Sequence, residues 1–114
     1  RLIGDVIIQS ELFEEPIVGF ENHIGCTDIR GYSPLGKVVH GFGNNGTDGF
    51  EGVRYKNVFA TYLHGSLLPK NPKLTELMLS SAVQCQVPDF VLEQLDDTIE
   101  QSAHQVIMKR FVEN

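Results

Sequence analysis

The sequence predicts an α/β domain, with a strand-rich first part and helices that pack against it. Three observations carry that expectation. Four short runs of β-branched and apolar residues lie between Asp5 and Leu63, with turn signals between them. After Pro72 the apolar residues switch to a spacing of three and four. The chain has 114 residues, 41% of them hydrophobic and 21% charged, which suits one small domain with its own core.

The first strand is expected over residues 5–9, where Val6, Ile7 and Ile8 are β-branched. Glu14-Glu15-Pro16 turns the chain into a second strand over 16–23. Ser33-Pro34-Leu35-Gly36 places proline at the second position of a β-turn and leads to a third strand over 37–42. A Gly/Asn-rich loop spans residues 43–52. The fourth strand is expected over 58–63, entered through Val53-Arg54-Tyr55. Such short connections favour antiparallel pairing.

A helix is then expected to start at Pro72, with Asn71 as its N-cap. Leu74, Leu77, Met78, Ser81, Ala82 and Cys85 share one of its faces. Residues 90–95 read as a short helical turn. Asp96 or Asp97 caps a last helix whose inner face is Ile99, Ala103, Val106, Ile107 and Phe111. Lys109 and Arg110 near its end suit the helix dipole.

Charge and cysteine usage narrow the function. The net charge is -6, from 9 basic and 15 acidic residues, and no basic stripe meets phosphates. A nucleic-acid or anionic-membrane partner is not expected. No apolar run approaches the roughly 20 residues of a membrane span, and residues 1–5 do not read as a signal peptide. Cys26 and Cys85 lie far apart and form no CxxC pair. They read as reduced, partly buried thiols of a cytoplasmic protein.

Thr61-Tyr62-Leu63-His64-Gly65 is the candidate site. Extended geometry puts Val58, Ala60, Tyr62 and His64 on one face, with the histidine at the tip. There it is either a general base near neutrality or a bland strand-end residue. Gly19-Phe20-Glu21-Asn22-His23 and the following Cys26 crowd polar groups at another strand end. His23 and Cys26, with His40 as a third ligand, lack a fourth, so no metal is expected. No cofactor is expected either. Cys26 does not sit at a strand-to-helix elbow that would lower its pKa, and Cys85 falls on a packed helix face, so neither reads as a nucleophile. The loop over 43–52 lacks phosphate-loop and calcium-loop spacings.

Three motifs together resemble a known family. They are Gly19-Phe20-Glu21-Asn22-His23, Gly41-Phe42-Gly43-Asn44-Asn45, and the run from Tyr62-Leu63-His64-Gly65-Ser66 through Asn71-Pro72. They resemble the class I glutamine amidotransferases of the cobyric acid synthase-like branch. Within it the likeness is greatest to the amidotransferase subunits of lipid II isoglutaminyl synthases. It runs from Arg1 to about Ala82 and gives way to a helical tail.

The resemblance implies a flavodoxin-like α/β domain. In such a domain a cysteine at a strand–helix elbow attacks the side-chain amide of glutamine, forms a glutamyl thioester and releases ammonia. His64 would activate the thiol and protonate the ammonia. Arg1 would lie in the glutamine pocket. The ammonia would pass to an ATP-dependent, Mur-ligase-like synthase subunit that amidates a peptidoglycan precursor.

This sequence departs from the family in two ways. Ser66 stands where many members carry an acidic residue, which leaves Glu21 or Asp48 to orient His64, or else a Cys-His dyad. The elbow cysteine is not in these residues. The expectation is therefore that residues 1–114 are the C-terminal part of one amidotransferase domain, inactive alone and prone to self-associate. The start at Arg1, inside a strand-like run, points the same way. Two other readings stay open: cobyric acid synthase-type amidation in cobalamin biosynthesis, and a non-catalytic β-rich binding module.

Overall fold

The computed structural model describes residues 1–111. Four strands, β1 (Leu2–Gln9), β2 (Ile17–His23), β3 (Gly36–His40) and β4 (Phe50–Glu51), form an antiparallel sheet in the order β2-β1-β3-β4. A separate hairpin pairs β5 (Val53–Tyr55) with β6 (Val58–Ala60). Three helices follow: α1 (Leu67–Lys70), α2 (Pro72–Gln84) and α3 (Thr98–Phe111).

Strand alternation builds a core on each face of the sheet. The β1–β2 register pairs Ile8 with Ile17 and Ile7 with Val18. Val6, Ile8 and Ile17 join Leu35, Leu63 and Leu74 on one face. Ile7 and Val18 meet Ile107 and Met108 of α3 on the other. Burying each such side chain is worth about 1.5–3 kcal/mol, so these two clusters hold the sheet between its neighbours.

A bulge then redirects β3. Ile8 pairs with Val38 but Ile7 pairs with His40, which leaves Val39 as the extra residue. Simple alternation would put Val38 and His40 on one face. Instead Val38 packs against the first core, and His40 stacks on Phe111 of α3 with ring centres 3.9 Å apart.

The outer edge of β2 is what positions the candidate site. An edge strand leaves N–H and C=O groups pointing at solvent or at a partner. Here Val18, Phe20 and Asn22 find partners in turn. Asn71 accepts the Val18 N–H on Oδ1 at 2.8 Å and donates Nδ2 to the Val18 carbonyl at 2.6 Å. The His64 N–H donates to the Phe20 carbonyl at 2.7 Å. The His64 ring takes the Asn22 carbonyl.

Several expectations need correction. The fourth strand stops at Ala60, and Leu63 instead forms an isolated bridge with Glu21 of β2. The cause is the fully buried Glu51, which holds Thr61 and Tyr62. Residues 50–51 form β4 rather than loop. Asn71 does precede α2, but its side chain makes no cap bond and serves β2 instead. Of the six residues expected on the α2 inner face, Leu74 alone is buried. Residues 90–95 form no helix. In α3 the buried residues are His104, Ile107 and Met108, whereas Ile99 is 81% exposed. Asp96 lies just before that helix and accepts the Thr98 N–H at 3.1 Å and its hydroxyl at 2.6 Å.

Candidate active site

His64 is placed by its neighbours on either side. Leu63 is buried and packs on Gly19, where an added Cβ would lie 3.2 Å from three Leu63 atoms. The absence of a side chain at Gly19 lets Leu63 seat against the sheet. Ahead of it, Glu51 accepts the Tyr62 N–H at 2.8 Å and the Thr61 hydroxyl at 2.7 Å. Thr61 Oγ1 then accepts the Leu63 N–H at 3.0 Å. Three successive residues before the histidine are therefore tied down.

The imidazole itself is exposed, and its Nε2 lies 2.9 Å from the Asn22 carbonyl. A carbonyl can only accept, so Nε2 donates to it, and in the neutral ring Nδ1 is the nitrogen with the lone pair. That is the arrangement a general base needs: one nitrogen anchored and the other available. The same Asn22 accepts Arg1 Nε on its side-chain Oδ1 at 2.6 Å. The structure thus brings Arg1 and His64 to opposite groups of one residue.

The two carboxylates expected to orient His64 are engaged elsewhere. Glu21, fully buried, accepts the N–H groups of Phe42 at 2.7 Å and Gly43 at 3.0 Å, and faces His23 Nε2 at 3.0 Å. Asp48 accepts Asn45 Nδ2 and the Phe50 N–H, both at 2.9 Å, within its own loop. The ring contact seen on His64 is a backbone carbonyl, supplied by the residue between Glu21 and His23.

Burial pushes the Glu51 carboxyl above its ordinary range, and the nearby Glu21 carboxylate adds to that rise. The bonds from Thr61, Tyr62 and Gly52 pull it partly back. Beside this carboxyl, Thr27, Asn44, Thr61 and Tyr62 line a cleft of about 220 Å³.

Both cysteines are exposed rather than partly buried, and Cys85 lies outside the packed face of its helix. His40 is on the α3 side of the sheet, away from His23 and Cys26, because of the β3 bulge. Among the described residues no group of three or more His, Cys, Asp or Glu side chains could hold a metal. The roles of Asn22, Glu51 and Asn71 escaped the sequence reading. Asn22 lies inside a quoted motif, but nothing in its type says that its carbonyl will be used. Glu51 follows a Gly-rich loop and reads as part of it.

His64 is fixed at the sheet edge through the Asn22 carbonyl, and Arg1 holds the Asn22 side chain. The sequence matches the CobB/CobQ-like glutamine amidotransferase domain over residues 1–72, and the chain belongs to that family. It is 44% identical over 110 residues to the Staphylococcus aureus protein named lipid II isoglutaminyl synthase (glutamine-hydrolyzing) subunit GatD. That match covers 96% of this chain and 44% of the relative. The subunit of the same name from Streptococcus pneumoniae is 42% identical over 103 residues, covering 89% of this chain and 40% of the relative. A probable cobyric acid synthase from Methanothermobacter thermautotrophicus is 40% identical over 65 residues, covering 57% of this chain and 13% of that protein. The chain thus spans less than half the length of the first two relatives.

Proposed function

We propose that this chain is the base-bearing C-terminal part of a single glutamine amidotransferase domain of flavodoxin-like α/β fold. The observation that carries the reading is His64, with Nε2 tied to the Asn22 carbonyl and Arg1 held by the side chain of the same residue. The nucleophilic cysteine belongs to the part of the domain outside residues 1–114. His64 Nδ1 takes its thiol proton, and the thiolate attacks the side-chain amide carbon of glutamine. The C–N bond breaks as His64 returns that proton to the leaving nitrogen, giving ammonia and a glutamyl thioester. Water, deprotonated by the same nitrogen, then releases glutamate. Arg1, tethered to Asn22, supplies the cation that receives the glutamine α-carboxylate. With Ser66 in the family's acidic position, the Asn22 carbonyl replaces the usual carboxylate as the group that orients the ring.

Likeness to the two lipid II isoglutaminyl synthase subunits over most of the chain favours a matching role. The ammonia would go to an ATP-dependent, Mur-ligase-like partner subunit that amidates the glutamate of lipid II, in the cytoplasm. The cobyric acid synthase reading rests on a match to little more than half of the chain. Among the described residues no helix is long and apolar enough to cross a membrane. Apolar side chains left exposed, including Ile3, Val39 and Val58, support packing against the rest of the domain or against another copy.

The test is glutamine hydrolysis by the full-length protein with its partner. His64→Ala should lower the rate by at least about a hundredfold, the usual scale for loss of a general base. An undiminished rate overturns the reading.

A further inference from the structure

We propose that Glu21, His23 and Tyr62 form a positioning unit for His64, acting on the histidine from both its backbone and its ring. The proposal rests on the catalytic reading of His64 given above. The unit begins at the turn after β3. Gly43 has φ 77°, and a Cβ there would lie 2.3 Å from the Phe50 carbonyl oxygen, so the turn admits only glycine. That turn aims the N–H groups of Phe42 and Gly43 at the Glu21 carboxylate.

Glu21 in turn fixes His23. The His23 ring is buried with Nδ1 2.7 Å from the Gly25 carbonyl and Nε2 3.0 Å from Glu21 Oε2. The carbonyl can only accept, so Nδ1 donates to it, while Nε2 faces the Glu21 carboxyl group. The ring is held at both ends and cannot swivel without breaking a buried bond.

Tyr62 lies flat on this platform, with ring centres 3.8 Å apart and planes 3° from parallel. Its hydroxyl and Thr27 Oγ1 are 2.8 Å apart, and its N–H goes to Glu51. Tyr62 is two residues before His64, so its seat sets where the His64 backbone leaves the sheet. The second route runs through β2. Glu21 and His23 point inward, and Asn22 between them offers its carbonyl to the His64 ring. Locking the two inward side chains therefore locks the oxygen that orients the imidazole.

Steady-state glutamine hydrolysis by the full-length protein with its partner tests this. Tyr62→Leu should lower kcat roughly ten- to a hundredfold with KM little changed, because a base displaced by about 1 Å loses that much. Tyr62→Phe keeps the stacked ring and should restore most of the lost kcat. Thr27→Val removes a surface contact to Tyr62, leaves the core intact, and should lower kcat about threefold. It decides the matter if Tyr62→Leu does not fold. In protein labelled with nitrogen-15 histidine, His23 Nδ1 should carry a slowly exchanging proton that exchanges faster in Tyr62→Leu. Equal losses in the Phe and Leu variants, an effect confined to KM, an unchanged rate in Thr27→Val, or a bare Nδ1 overturns the proposal. An inactive His64→Ala with a fully active Tyr62→Leu overturns the positioning unit alone. An undiminished His64→Ala overturns the catalytic reading as well.

Discussion

The sheet and the helices that follow it differ in how many polar side chains they bury. In the sheet, polar side chains are buried and bonded: Glu21, His23, Asn44, Glu51 and Asn71 each have named partners. Beyond α1, Leu74, Ile107 and Met108 are covered, but many other apolar side chains stay in view. Leu79, Val87, Val91, Leu95 and Ile99 are all exposed, Val91 by 83%. The family match ends at residue 72, where this change occurs. A buried polar group must be matched bond for bond, which fixes geometry, whereas an apolar surface only needs to be covered. The part that holds His64 is the part built on directional bonds.

Breaking the sheet's wiring should cost most. Asn71→Ala strips both the N–H and the carbonyl of Val18, and one bond to the Leu67 carbonyl, of their partner. Each buried backbone group left alone costs about 1–3 kcal/mol, so a loss of about 3 kcal/mol in denaturant unfolding is expected. A loss below about 1 kcal/mol would mean that water serves the β2 edge as well as Asn71 does.

Glu51 gives a pH signature of intermediate size. Burial raises its folded pKa above the ordinary 4.5. The folded state therefore binds its proton more tightly than the unfolded state does. Its stabilising contribution is full below pH 4.5 and lost as pH rises through the raised folded value. Glu51→Gln keeps an acceptor for Tyr62 and stays uncharged. Its stability should exceed the parent's increasingly as pH rises from 4.5 through that value, followed by urea unfolding across the range. Parallel pH profiles for the two proteins would show that Glu51 stays charged at little cost.

Smallest is the helical side. Ile99→Lys on α3 should change the stability of residues 1–114 by no more than about 0.5 kcal/mol, as for other surface positions. The same substitution in the full-length protein sharpens the contrast. A clearly larger loss there would identify α3 as covered by the rest of the molecule.

Much of this was legible in the residues, for reasons that differ by element. β1 and β2 announce themselves because β-branched runs and short turns are local signals, and α2 begins at a proline that suits a first turn. The early end of β6 was not legible. Nothing near Ala60 marks it, and the cause is Glu51, nine residues upstream. The α3 face was read only in part, Ile107 and Phe111 facing the sheet as expected, because its partner is the far side of β1 and β2. That side takes His104, whose Nε2 donates to the Pro16 carbonyl at 2.7 Å, over the more apolar Ile99. His64 stood out by its motif, while the group that holds it is a main-chain oxygen, which no residue type can advertise.

The edge of β2 has one more consequence. A seven-residue strand with an open flank is a template on which another extended chain can grow. Asn71 and His64 occupy that flank at its alternate outward positions, so the contacts that aim the histidine also deny it to a strand from elsewhere. A cut or an unfolding event between Leu63 and Asn71 would release His64 and uncover an adhesive edge in one step. Loss of activity and onset of aggregation should therefore share a single midpoint when the segment before α2 is loosened.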